Sequence, residues 1–164
     1  MTQAGQVGWL AWLETTGAAT AMRQSLWLYP VVEILHILGF VVLVGSAAMF
    51  DLRLLGLSRQ LPVTGMERHL LPWARAAACV IIPTGALMFV AHATEFAGNP
   101  AFRLKLFLLT AAAINAAVFH MRPFRRVAEW DHGSAAPLTA RFAAGCSLAL
   151  WTSVIACGRL LAYF

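Results

Sequence analysis

The sequence predicts an all-α integral membrane protein: a four-helix bundle preceded by one short N-terminal amphipathic helix. Three observations predict it. The 164 residues are 60% apolar and only 12% charged, where a soluble domain carries about 25% charged residues. Mean hydropathy is +0.72. Four apolar runs each reach the roughly 20 helical residues needed to cross about 30 Å of hydrocarbon, and the cationic residues gather between those runs. The length suits one transmembrane domain over 1–164.

The elements follow in order. The opening residues lack a basic segment followed by a short apolar one, so no cleaved signal peptide is expected. From Val7 to Leu26 the chain is too polar to span. Trp9, Trp12 and Leu13 recur at helical spacing, which predicts a short interfacial helix with tryptophans at headgroup level. The first span is expected from about Trp27 to Phe50, with Pro30 in its first turn and Asp51 and Arg53 closing it. The second runs from about Leu70 to Ala93, with Pro83 and Gly85 marking a kink. A tight turn, HATEFAGNP, leads to the third, about Ala101 to Met121, which Pro123 stops. The loop 122–140 reads as a solvated basic connection that also suits anionic headgroups. The fourth span is expected from about Arg141 to Tyr163.

Orientation follows from the loops. Let side A hold the N-terminus; an even number of spans returns the C-terminus there. Arg53, Arg59, Arg68, Arg75, Arg122, Arg125, Arg126 and Arg141 fall to side B, against Arg23, Arg103, Lys105 and Arg159 on side A. The excess makes side B cytoplasmic and places both termini outside, in the plasma (inner) membrane of a bacterium. The net charge of +5 is thus a topological signal and not a nucleic-acid footprint. Cys79, Cys146 and Cys157 lie in apolar runs without metal-type spacing and read as small buried residues. No GxSxG, HExxH, Walker or GxGxxG pattern occurs.

Histidines carry the functional signal. An imidazole in hydrocarbon is costly without a partner, and histidine is the common protein ligand for haem iron and copper. In EILHILGF, Glu33 and His36 are three apart and share a face. A carboxylate there can hold one ring nitrogen and free the other for a metal. Gly39, on the same face, admits either a flat macrocycle or a neighbouring helix. Lys105, early in the third span, either snorkels or points inward to meet a propionate or the iron. His92, on side A with Met88 one turn away, is a second ligand candidate, although helix rise places it about two turns from the depth of His36. His120, beside Met121, and His69 mark a candidate metal site on side B. His132 reads as a surface residue.

The ordered motifs EILHILGF, DLRLLGL, MERHLLPW, PTGALM and RLKLFLLTAAAINAAVFH resemble the protoporphyrinogen oxidase family of small haem-binding membrane proteins. They are similar more loosely to copper-resistance membrane proteins of the copper D type, and to a bacterial four-helix membrane family without assigned function. The similarity covers roughly residues 27 to 122. It implies haem b on His36 and an essential lysine at Lys105; the chain departs from the oxidase pattern in Glu33 and in the spacing of His120 from Lys105.

The expected function is haem b binding in a redox or electron-transfer role, with porphyrinogen oxidation as the oxidoreductase reaction that the resemblance implies. His36 would be the principal ligand, with His92 and His120 as further metal candidates. Gly39 and Lys105 would flank the cofactor, and Glu33 and Lys105 would be the catalytic groups. Expected partners are membrane lipid, a quinone or a periplasmic redox protein, and a second copy of the chain. Two rivals stand beside this: a copper-handling transporter using His36, His92 and Met88, and a non-catalytic membrane subunit whose histidines only pack helices.

Overall fold

In a computed structural model, which describes residues 3–132, 134–161 and 163, four long apolar helices form the molecule. They are α3 (Leu28–Leu55), α4 (Val63–Ala91), α6 (Pro100–Met121) and α7 (Leu138–Leu160). Short helices α1 (Gln3–Glu14), α2 (Gly17–Gln24) and α5 (Ala93–Gly98) complete the set, with a 3₁₀ segment over Pro123–Glu129. No strand occurs among the described residues. The fold is the expected all-α membrane bundle. At most 22% of the most apolar window of any span is buried within the protein, so the remaining apolar surface suits lipid.

Helix ends depart from expectation in instructive ways. The first span continues five residues past Phe50, through Asp51 and Arg53. It stops at Gly56, whose φ of 114° is left-handed, a conformation that glycine adopts without a Cβ penalty. The Leu57 amide reaches back to the Leu52 carbonyl at 3.0 Å and the Gly56 amide to Arg53 at 3.1 Å, which is a Schellman ending. The second span begins at Val63, seven residues before the apolar run, because MERHLLPW is helical. Pro72 and Pro83 lie inside α4 without ending it.

The single amphipathic helix expected at the N-terminus is two helices. They break at Thr15 and Thr16, and the Thr16 side chain caps α2. Helix α2 buries Ala19 and Met22. Arg23 donates to the Ala91 carbonyl at the end of α4 at 2.8 Å, where a cation also meets the helix dipole favourably. Glu14 accepts from the Thr94 amide at 2.8 Å and from its hydroxyl at 2.7 Å. These hydrogen bonds, the side-chain one first, hold the Glu14 carboxyl below its ordinary value. The expected turn HATEFAGNP contains α5, and Asn99 then caps α6 by accepting from Ala101 and Phe102.

The connection 122–140 is folded onto the bundle instead of lying free in solvent. Trp130 is 6% exposed and packs with Leu54, Val63 and Phe119. The Asp131 carboxylate accepts from the Thr64 amide at 2.8 Å and its hydroxyl at 2.7 Å. It thereby caps α4, which has no capping side chain of its own. Arg53, 2% exposed, donates to the carbonyls of Leu61 at 2.6 Å, Arg59 at 3.1 Å and Asp131 at 3.2 Å. One guanidinium thus ties the end of α3 to the 57–62 turn and to the folded connection.

The spans pair unevenly. Helix α3 lies along α4, α7 lies along α6, and α3 meets α7, whereas α4 and α6 share no comparable contact. Near side A their gap is bridged by Phe89 and Phe102, stacked at 5.5 Å. Toward side B it is open.

Candidate functional site

Two places in the bundle hold polar chemistry. The first surrounds His36. Its Nδ1 lies 3.0 Å from the Thr84 hydroxyl oxygen. That hydroxyl has one proton, which it donates along its own helix to Val80 at 2.7 Å, with Ile81 at 3.1 Å. With the hydroxyl proton given to its own helix, Thr84 accepts from the imidazole, an assignment that puts the His36 proton on Nδ1 and a lone pair on Nε2. Nδ1 is the ring nitrogen on Thr84, and the Ile81 carbonyl also lies within reach of the ring. Gly85 provides the space for the ring: a Cβ there would lie 3.0 Å from His36 Cε1.

Glu33 does not hold His36. It is exposed and makes no hydrogen bond to the imidazole among the described residues; Thr84, from the neighbouring helix, takes that place. Gly39 is occupied by a helix and not left open to a macrocycle. A Cβ at Gly39 would meet Ile81 Cγ1 at 2.9 Å and the Ala77 carbonyl at 3.5 Å, so its role is close α3–α4 approach. Lys105 is half-buried and does not simply snorkel outward. Its Nζ lies 4.0 Å from where a Cβ of Gly158 would stand on α7, beside buried Cys157. By helix rise Lys105 and His36 differ in depth by about one turn or less.

His92 stands apart from His36. It caps the end of α4, eight residues beyond Thr84, which is about 12 Å of helix rise. There it meets Glu95 at 3.6 Å, with Tyr29 and Phe96 edge-on to its ring. Met88 packs instead with Met22, Val32 and Ala91. The histidine pair and the His36–His92–Met88 set are therefore not assembled. His120 is exposed, bonds through Nδ1 to the Ala116 carbonyl at 2.9 Å and packs on Phe119 and Phe124. His69 is exposed, and His132 lies 3.5 Å from Asp131. Among the described residues no three His, Cys, Asp or Glu side chains cluster as a metal site.

The second place is a cavity of about 360 Å³ between the four spans, in the side-B half. Its wall is mostly Leu, Ala and Phe. Asp51 enters it, 7% exposed, with Ser147 near its carboxyl and with Oδ2 lacking any partner. Asn115 also lines it and donates its amide to the Ala143 carbonyl at 3.0 Å. In the sequence Asp51 and Arg53 read together as the polar close of the first span. The signal that separates them is register: Asp51 falls four residues after Ala47 and eight after Leu43, on the inward face of a helix that continues past it.

The chain belongs to a family of unknown function, DUF6644, whose match covers residues 11–164. No curated protein and no solved structure matches the chain.

Proposed function

We propose that this protein is a small integral membrane protein that binds haem b through His36 and serves a redox or electron-transfer role. The observation that carries the reading is the His36–Thr84 hydrogen bond at 3.0 Å, which, with the Thr84 proton given to Val80, leaves the Nε2 lone pair available to a metal. The residues fit a haem held by one histidine. They fit a bis-histidine site poorly, since His92 is engaged elsewhere. Bound haem would supply one-electron chemistry at a potential set by its axial histidine and apolar surroundings. The chain's own parts are then defined. Thr84 orients the ligand, Gly85 admits its ring, and Lys105 offers a half-buried ammonium suited to a propionate.

The similarity to the protoporphyrinogen oxidase family supports the same reading, because the family's histidine and lysine fall on His36 and Lys105. A quinone or a periplasmic redox protein would be the exchange partner. The membrane would be the bacterial inner membrane, with both termini outside. Copper handling is less well served, because the soft-metal set it requires is dispersed.

The deciding experiment is a pyridine haemochrome assay with iron and copper analysis on detergent-purified protein. The expected result is b-type haem, lost in His36→Ala while that variant still inserts. Copper without haem, or full haem occupancy in His36→Ala, would overturn the proposal.

A further inference from the structure

The side-B cavity is a different site with different chemistry. A carboxylate in an apolar wall is costly unless something neutralises or hydrogen-bonds it, and Asp51 Oδ2 is buried with no partner. The neighbouring Asn115 amide donates to the Ala143 carbonyl and not to Asp51. Glu67 adds a second carboxylate to the wall, against the single guanidinium of Arg75. Ser46, Ser147, Trp151 and His120 add donors to the wall, yet none of them reaches Asp51 Oδ2, which stays unpartnered.

Shape adds the rest. Ala113 and Ala116 line the cavity and are also exposed on the surface of α6. The cavity thus opens sideways between α4 and α6, the one neighbouring pair of spans without extensive contact. Access from that direction is through lipid. A mostly apolar chamber with a few convergent polar groups is the ordinary form of a small-molecule site.

We propose that this cavity binds a lipid-soluble primary amine in its ammonium form, with the cationic head on Asp51 Oδ2 and the hydrocarbon or aromatic tail toward Leu43 and Leu109. The N–H groups supply the donor that Asp51 Oδ2 lacks. The positive charge neutralises the buried carboxylate, and a charge-assisted bond of this kind is about twice as strong as a neutral one. The tail replaces lipid or void against the apolar wall.

The test uses calorimetric titration of the purified full chain in nanodiscs with 4-phenylbutylammonium, 4-phenylbutan-1-ol and a short-chain benzoquinone. The ammonium is expected to bind at least about tenfold more tightly than the alcohol. Asp51→Asn, which keeps shape and removes charge, should erase that preference. Ala112→Leu fills the cavity from a buried wall position and should abolish binding while helical content is retained. Equal binding of ammonium and alcohol, an ammonium affinity unchanged in Asp51→Asn, or binding of the quinone alone would each overturn the proposal. The Soret band read on the same samples keeps this test separate from haem binding, since Asp51 lies on the opposite side of the bundle from His36.

Discussion

At the residue scale, two glycines, one on α3 and one on α4, show how one missing side chain serves different ends. Gly39 lets α4 approach α3, while Gly85 makes room for the imidazole. Their substitutions should part accordingly. Gly39→Ala drives a methyl to 2.9 Å from Ile81, and overpacking of this kind costs about 1–3 kcal/mol. Its thermal unfolding in detergent should shift down with the haem spectrum unchanged. Gly85→Ala should displace the His36 ring, and Thr84→Val should remove the partner that fixes its tautomer. Both are expected to weaken haem retention by about 10–100-fold, the usual effect of losing an outer hydrogen bond to a ligand. Transfer of haem to excess apomyoglobin, followed at the Soret band, measures it. Unchanged transfer rates in Thr84→Val would count against His36 as the ligand. The histidine itself was legible in the sequence, because an imidazole in an apolar run is conspicuous. Its partner was not, because Thr84 is 48 residues away and a threonine within a helix carries no signal.

At the element scale, hydropathy located the four spans since twenty apolar residues need no tertiary context to be read. It misjudged the end of α3 and the start of α4, where Asp51, Arg53 and the MERH segment lower the average. What makes those stretches helical is contact across the chain: Arg53 with a carbonyl 78 residues away, and Asp131 with an amide 67 residues away. Periodicity cannot report such pairs, so the connection 122–140 reads as free loop. Its folding gives a pH prediction. Burial alone would raise the Asp131 carboxyl, but the Thr64 hydrogen bonds outweigh it and the net shift is downward from 3.8. A depressed carboxylate contributes stability that is present above its unfolded value and lost as pH falls through the folded one. The α4 cap should therefore hold at neutral pH and fail only below about pH 3.8. Asp131→Ala should lose it at every pH, at a cost of about 1 kcal/mol. Limited proteolysis within 122–140 reads both effects. Equal resistance of wild type and Asp131→Ala at pH 7 would show that the cap does not hold the connection.

At the scale of the whole molecule, the structure sharpens the charge argument for topology. Of the side-B cations, Arg53 is buried among backbone carbonyls. Arg59, Arg68, Arg75, Arg122, Arg125, Arg126 and Arg141 are exposed. On side A, Lys105 turns inward, Arg23 and Arg103 are tied to the Ala91 and Ala97 carbonyls, and Arg159 donates to Tyr163. Seven exposed cations thus lie on side B against Arg23, Arg103 and Arg159 on side A, a slightly stronger bias than the residue count alone conveys. Cations near the ends of spans are what retain a loop in the cytoplasm, so that side should face inward. A reporter fused after Arg126 is expected to read cytoplasmic and one at the C-terminus external. Replacing Arg122, Arg125 and Arg126 together by Gln removes three of the seven exposed charges, and the C-terminal reporter should then divide between the two sides. A C-terminal reporter that reads cytoplasmic in the unaltered chain would reverse the assignment. It would also move His36 from the outer half of the membrane to the inner half, and the exchange partner of any haem there from the periplasm to the cytoplasm.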